Sequence, residues 1–322
     1  MLKGDLALSI HKIEIPTPYA VGDVNAFIVK GDALSIFDVG PKTMEAYDAL
    51  KWGIRAAGYQ LKDIEQVVLT HHHPDHCGWV DAFPYAEIIG HAYTDKWLQH
   101  DEEFIRYHEQ FYSERLYEHG VPREYIQSSV HVRNELELVG ERPLTHILCD
   151  GDEVPGHPGL KAIETLGHAQ SHFIFWSEQT HHVIGGDLLL DKITPNPLIE
   201  PPLDRTLGRS KSLLQYNESL EILKQLPVKK MYTGHGADLE SISYLIEKRL
   251  ERQRQQSMKV LELMGDEALT AVQLTERLYP AIYQRQLGLT MSKTLGHLDY
   301  LEAIGLVTGE KNDVGVYLFK RK

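Results

Sequence analysis

The segment from Thr70 to His76, Thr-His-His-His-Pro-Asp-His, carries the side chains of this chain that are best suited to chemistry. Read as His-x-His-x-Asp-His, it contains four potential metal ligands within six residues: His71, His73, Asp75 and His76. Imidazole and carboxylate groups placed so close together gain little unless a cation holds them. The segment therefore predicts a metal site.

The residues just before this segment predict how it is positioned. Gln66 to Thr70 form an apolar run that is typical of a buried strand. The histidines then lie on the loop at the carboxyl end of that strand, where α/β folds usually build their sites. Alternate residues of an extended loop share a side, so His72 should point away from His71 and His73, towards the surface or behind the ligands.

Three later segments each place one ligand-type side chain beside glycine at the end of a predicted strand. They are Thr165-Leu166-Gly167-His168, Gly185-Gly186-Asp187 and Thr233-Gly234-His235-Gly236. Glycine lets the backbone come close to a ligand. With the first segment there are seven ligand-type groups, enough for two cations that share one carboxylate.

These motifs, preceded by Asp38 in Phe37-Asp38-Val39-Gly40, resemble those of the metallo-β-lactamase superfamily, in the same order and over roughly residues 10 to 240. The resemblance implies that His71, His73 and His168 hold a first metal. It also implies that Asp75, His76 and His235 hold a second, with Asp187 bridging the two.

Imidazole and carboxylate ligands suit zinc, with manganese or iron as alternatives, so we expect two divalent metal ions with zinc favoured. Two cations lower the pKa of a shared water towards about 7 and make hydroxide available at neutral pH. We expect this hydroxide to attack a small carbonyl substrate. Asp75 is the candidate to orient the water or accept its proton, and Asp38 is expected to fix the ligand loops from behind.

The periodicity predicts an α/β fold, a four-layer αββα sandwich with a helical insertion and a small C-terminal domain. A hairpin is expected over residues 23–38, and a helix from Thr43 to Gly58. Residues 94–145 form the insertion, with one long aromatic helix from Thr94 to about His119. Its aromatic side chains either pack the insertion onto the sandwich or form a lid over the metal site.

We place the domain boundary at residue 240, giving a metallo-β-lactamase-like domain over 1–240 and a linker helix with a winged-helix-like domain over 241–322. A long helix from Ser241 to about Leu263 is followed by two shorter helices and a hairpin. The third helix, Thr290 to Ile304, carries a single basic residue, Lys293. Nucleic-acid binding is therefore disfavoured, and packing or homodimer formation is the expected role of this domain.

Composition and charge disfavour several classes of protein. The formal net charge of −13 argues against nonspecific nucleic-acid binding, which needs a basic surface. No apolar run is long enough to span a membrane, and the start of the chain, Met1 to Asp5, does not resemble a signal peptide. Two cysteines, Cys77 and Cys149, are too few for a disulfide framework and indicate the cytoplasm. Cys77 is expected to be a packing residue.

The leading hypothesis is a dinuclear hydrolase of small thioesters, with esters and lactones next. The C-terminal domain and residues 193–197 resemble a glyoxalase II-like branch of the superfamily, although Leu188 stands where many of those relatives have histidine. A metal-dependent ribonuclease and a mononuclear-iron persulfide dioxygenase are the alternatives. His172 is expected to form hydrogen bonds inside the fold rather than bind metal.

Overall fold

The computed structural model describes residues 9–322, so the expectation about Met1 to Asp5 lies outside the described residues. A first sheet has six strands in the order β1 to β6. They are β1 (Ser9–Ile15), β2 (Val24–Lys30), β3 (Leu34–Phe37), β4 (Gln66–Val68), β5 (Glu87–His91) and β6 (His146–Leu148). The first three strands are antiparallel and the last four are parallel, which confirms the predicted hairpin and brings the loops after β3, β4 and β5 to one edge.

A second sheet has four strands in the order β10-β9-β8-β7. They are β7 (Leu160–Glu164), β8 (Phe173–Ser177), β9 (His182–Ile184) and β10 (Lys230–Tyr232). Aromatic side chains from both sheets fill the space between them, with the Phe37 and Phe175 rings 5.1 Å apart. Burial of these large apolar surfaces is the main force that holds the sheets face to face.

Helices cover the outer faces of both sheets. Helix α1 (Met44–Ala56), whose N-cap Thr43 accepts a hydrogen bond from the Ala46 amide, packs Leu50 and Ile54 against the first sheet. Helix α7 (Ser212–Gln225) packs Leu220 and Leu223 against the second sheet. The predicted mixed α/β fold is confirmed.

The insertion differs from the single long helix predicted for Thr94 to His119. The structure has α3 (Ala92–Leu98) and α4 (Glu102–Glu118), separated by a short turn. His100 adopts a left-handed φ of 47°, and the Asp101 carboxylate accepts hydrogen bonds from the Glu103 and Phe104 amides. The prediction was wrong here because this N-cap begins a new helix within one continuous pattern of aromatic and charged residues. Two short helices, α5 (Arg123–Ile126) and α6 (Val132–Leu136), complete the insertion.

The C-terminal segment has three helices and a hairpin. They are α8 (Ile242–Met264), α9 (Ala271–Leu278), α10 (Leu287–Ala303), β11 (Val307–Lys311) and β12 (Tyr317–Arg321). One apolar cluster joins these elements to the insertion, through Phe111 and Leu116 of α4. No helix within residues 9–322 is long and apolar enough to cross a membrane.

Candidate metal centre

The loop after β4 delivers the histidine-rich segment to the edge where the strands end. Its start is fixed by Asp38, whose carboxylate accepts hydrogen bonds of 2.8 Å from the amide and from the hydroxyl of Thr70. Pro74 opens a short helix, α2 (Pro74–Cys77), because its fixed φ suits the first turn. The segment is therefore extended through His73 and helical from there on.

A first group of ligand atoms comes from His71, His73 and His168, whose side-chain nitrogens lie within 4.8 Å of one another. His71 Nε2 and His73 Nδ1 are 3.0 Å apart. The Nδ1 atom of His168 is bonded to the Asn196 carbonyl oxygen at 3.0 Å, so its Nε2 atom faces the group.

A second group comes from Asp75, His76 and His235, also within 4.8 Å. His235 Nε2 lies 3.3 Å from Asp75 Oδ2. Asp187 lies between the two groups: its carboxylate oxygens are 3.6 Å from His168 Nε2, 3.4 Å from His235 Nε2 and 3.7 Å from His76 Nε2. The predicted site residues are thus brought together, and Asp187 is the one that faces both groups.

The donor set fits divalent cations. The buried Nε2 atoms of His76, His168 and His235 and the Oδ1 atom of Asp187 have no hydrogen-bond partner. Buried polar atoms in proteins are nearly always bonded. Three such nitrogens within 3.7 Å of the Asp187 carboxylate, itself one of the unpartnered groups, are explained by cations that complete their bonding.

The electrostatics divide the histidines in the same way. Burial, reinforced by neighbouring imidazoles, holds the pKa of His71 and His73 well below the ordinary value. Burial opposes the charged form of His235 too, but Asp187 and Asp75 outweigh it and raise its pKa to about 9. The first group therefore offers neutral lone pairs, whereas the second must lose protons to bind a metal.

Hydrogen bonds hold the far nitrogens of the ligand rings. His76 Nδ1 is 2.8 Å from Asp38 Oδ2, and His235 Nδ1 is 2.8 Å from the Asp23 carbonyl oxygen. An acceptor on the far nitrogen fixes the ring orientation and leaves Nε2 free as a donor of electrons. Asp38 is 2 % exposed and bonds to the His76 nitrogen opposite Nε2, so it lies behind the ligands.

His172 packs its ring against His71, with the ring centroids 5.1 Å apart, but it contributes no atom to either group of ligands. Its Nδ1 atom is bonded to Thr165 Oγ1 at 2.8 Å, and its Nε2 atom accepts a hydrogen bond of 3.0 Å from the Asp187 amide. The internal hydrogen bonding predicted for His172 is present. Close approach also explains one glycine, since a Cβ on Gly234 would lie 2.2 Å from Asp187 Oδ1.

His72 is buried rather than at the surface. Its Nε2 atom lies 2.9 Å from Glu200 Oε1, and its ring is stacked on Trp97 at 5.3 Å. Glu200 also accepts a hydrogen bond from the Gln170 amide at 2.7 Å. Burial disfavours the charged form of Glu200, yet His72 keeps its pKa below the ordinary value. Sequence reasoning missed Glu200, because no local motif marks it.

A cavity of about 560 Å³ opens onto the metal-facing atoms. His73, Asp75, His168, Asp187 and His235 form its floor. Its walls come from the insertion, from the loop 190–200 and from α10 of the C-terminal segment. The apolar side chains in these walls are Leu116, Val130, Leu190, Ile199, Leu289, Met291 and Leu295. A small molecule could therefore reach the centre through a mainly apolar chamber.

A family model, the metallo-beta-lactamase superfamily, matches residues 19–235. This chain belongs to the metallo-β-lactamase superfamily, which confirms the resemblance identified from the motifs.

Two relatives and two solved structures show how far the similarity extends. The chain is 40 % identical to the probable metallo-hydrolase YqjP of Bacillus subtilis (strain 168), over 96 % of this chain and 98 % of that one. It is 24 % identical to the beta-lactamase-like protein 2 homolog of Caenorhabditis elegans, over 82 % of this chain and 73 % of that one.

The metallo-beta-lactamase family protein TTHA1429 of Thermus thermophilus has a similar structure, with a TM-score of 0.79, 25 % identity, and coverage of 97 % of this chain and 98 % of that one. A beta-lactamase domain protein of Burkholderia ambifaria gives a TM-score of 0.78 at 17 % identity, covering 99 % of this chain and 94 % of that one. The fold of these two proteins extends over nearly the whole chain, including the C-terminal segment.

Proposed function

We propose that the protein is a dinuclear metal-dependent hydrolase of small thioesters with an apolar acyl group. The observation that carries this proposal is the cavity of about 560 Å³, which joins a floor of unpartnered histidine and aspartate atoms to apolar walls. Membership of the superfamily and the name of the Bacillus relative support a metal-dependent hydrolase.

We assign His71, His73 and His168 to the first metal, Asp75, His76 and His235 to the second, and Asp187 to both. Zinc fits this set best, because neutral imidazoles and carboxylates are its usual ligands. The Cys77 thiol does not join them, because its Sγ atom donates a hydrogen bond to the His72 carbonyl oxygen. Bound zinc would make a nucleophile available from water near neutral pH and stabilise the charge that develops on a carbonyl oxygen.

The chain's own residues supply positioning and proton transfer. Asp75 lines the cavity with one oxygen 3.3 Å from His235, so its carboxylate can accept a proton at the cavity floor. Asp38 holds His76 and Thr70 from behind and acts as a positioning residue. The apolar walls exclude water from the acyl group, and each buried methylene is worth about 0.8 kcal/mol.

The C-terminal segment contributes to the substrate cavity. Gly288, Leu289, Met291 and Leu295 of α10 form one wall of the cavity, so the segment closes one side of the substrate cleft. We propose that residues 241–322 are a winged-helix-like domain used for this packing role, and that residues 94–145 form the opposing lid of an αββα sandwich. A small-molecule partner is favoured over nucleic acid because the chamber is apolar.

The test is thiol release from acyl-CoA and acyl-glutathione thioesters by zinc- or manganese-loaded protein. We expect turnover that falls at least 100-fold in Asp75→Ala, with the fold of the metal-free protein retained, and that remains normal in Asp48→Ala on the exposed side of α1. Absence of turnover by fully metallated protein would reject thioesters as substrates. Lactones, RNA and persulfides would then be the substrates to test.

A further inference from the structure

A second cavity of about 240 Å³ lies behind the loop that supports His168. It is lined by residues 194–197 of that loop, by Arg249, Arg252, Gln253 and Gln256 of α8, and by Ser292, Lys293, Gly296 and His297 of α10; Leu213 and Tyr279 complete it. No carboxylate lines it among residues 9–322. In a chain with a formal net charge of −13, this concentration of positive charge is unusual.

Three cations line this cavity, and Arg249 is held by hydrogen bonds to Leu190, Ile193 and Thr194. Within the described part of the chain, neither Arg252 nor Lys293 forms an ion pair, although the neighbouring Arg254 is paired with Glu251 at 2.9 Å. Burial, with a contribution from Arg252, holds the pKa of Lys293 below its ordinary value. Two like charges that face one space repel each other unless an anion lies between them.

An unpartnered amide points to a ligand independently of these charges. Gln253 is 6 % exposed, and neither its Nε2 nor its Oε1 atom has a hydrogen-bond partner. A buried amide without partners costs about 1–3 kcal/mol, so such groups are rare unless something binds them. A hydrogen phosphate group offers oxygen acceptors to Nε2 and a hydroxyl donor to Oε1.

We propose that this second cavity binds a phosphate group through Arg252, Lys293 and Gln253. Its volume suits a phosphate or diphosphate but is below the roughly 300–1,000 Å³ of pockets that enclose a whole drug-sized ligand. In the sequence, Lys293 is the single basic residue of its helix, which is too little for phosphate contacts. The packing of α10 against α8 adds Arg252 to the same cavity.

The cavity is connected to the metal centre through a shared wall. Thr194, Pro195, Asn196 and Ser292 line both cavities. The Asn196 carbonyl oxygen holds His168 Nδ1, and Arg249 bonds to the Ile193 carbonyl oxygen and to the Thr194 hydroxyl. An anion bound here would therefore steady the loop that orients one of the proposed metal ligands.

The direct test is calorimetric titration of inorganic phosphate into full-length, zinc-loaded protein at constant ionic strength. We expect one phosphate per chain at this site and at least tenfold weaker binding in Lys293→Gln, with Lys259→Gln on the exposed face of α8 unchanged. A phosphate bound to the metals would be indifferent to Lys293. Equal affinity in Lys293→Gln, or no binding at millimolar phosphate, would overturn the proposal.

The Gln253→Leu variant separates a ligand-binding amide from a structural one. We expect it to bind phosphate at least fivefold more weakly while melting at the same or a higher temperature, because leucine removes the unpartnered polar atoms. Unchanged phosphate affinity in this variant would overturn the role of the amide.

Kinetics distinguish a phosphate group that belongs to the substrate from a free phosphate ion. Of the experiments proposed for this cavity, only this one rests on the proposed thioesterase function. If the phosphate belongs to the substrate, Lys293→Gln raises KM for an acyl-CoA but not for the same acyl group on an unphosphorylated thiol. If it is a free ion, added phosphate changes turnover of both substrates in the wild type and of neither in Lys293→Gln.

Failure to cleave either thioester would reject the proposed function, while the calorimetry would still decide whether the second cavity binds phosphate. Preferential, Lys293-dependent binding of single-stranded RNA would overturn a small-molecule ligand.

Discussion

The Asp38 carboxylate lies 2.8 Å from His76 Nδ1, while the other ring nitrogen, Nε2, lies 3.7 Å from Asp187 Oδ1. The same Asp38 oxygen accepts a hydrogen bond from the Thr70 hydroxyl, so one side chain ties together the start and the end of the metal-binding segment. Its left-handed φ of 58° is a strained conformation for a residue with a side chain, and such strain is often found at functional sites.

We therefore expect Asp38→Asn to weaken zinc binding about 10- to 100-fold, because an amide is a poorer acceptor for the imidazole N–H. Competition with a chromophoric chelator measures this affinity. Asp48→Asn, an exposed aspartate of α1, is the matched control. Wild-type zinc affinity in Asp38→Asn would show that His76 does not depend on this contact.

The two proposed metals should differ in their response to pH. The raised pKa of His235, about 9, means that the empty second site is protonated at neutral pH, so a metal must displace that proton. Affinity for the second zinc should rise about tenfold per pH unit below pH 9 for each proton displaced, while the first zinc, on histidines with lowered pKa, should be less sensitive at neutral pH.

Zinc titrations at several pH values check this prediction. His235→Ala should remove the zinc equivalent whose affinity depends more strongly on pH and leave the other one. Two equivalents with identical pH dependence would contradict the assignment of the second site.

The α10 wall should determine acyl length. Leu289 lines the cavity and is 37 % exposed, so a larger side chain can be placed there with little strain on the core. We expect Leu289→Trp to lower kcat/KM for a long-chain acyl thioester at least tenfold, equivalent to losing about two buried methylenes, and to leave the acetyl substrate unaffected. Ile304→Trp, at the exposed end of the same helix, should change neither value.

Buried histidines outside the candidate metal centre make folding sensitive to acid. His119 is 1 % exposed, stacks on Tyr317 and Phe319, and has two ring nitrogens without partners. Burial lowers its pKa from 6.5 to about 3. Between these two pH values, His119 is therefore protonated in the unfolded chain but neutral in the folded chain. Its contribution to the free energy of unfolding is complete above pH 6.5 and is lost as the pH falls towards 3.

His119→Phe removes this titration and both unpartnered nitrogens. As the pH falls from about 7 to about 4.5, we expect the wild type to lose about 2.5 kcal/mol more unfolding free energy than the variant, measured by urea denaturation of matched metal-free samples. His11→Phe, at an exposed position of β1, should show no such difference. A parallel pH profile for wild type and His119→Phe would refute this account.

Local pattern was sufficient for much of this molecule. Five short motifs identified the superfamily and the seven candidate ligands, because metal coordination needs particular side chains at close spacing. Thr43 marked the start of α1 because a cap acts over three residues. The pattern failed at Asp101, where one N-cap divides the predicted single helix into two.

Other features depend on residues that only folding brings together. Glu200 is 128 residues from His72, and Arg252 and Lys293 come from different helices, so no local spacing predicts either arrangement. The cavity is of the same kind: α10 is far from the histidines in the chain and becomes a wall because α4 and α10 share one apolar cluster. The sequence alone determined the chemistry of the ligands, since that depends on residue type and short spacing. Tertiary structure decided what they face, since burial and the positions of unpartnered charges arise from long-range packing.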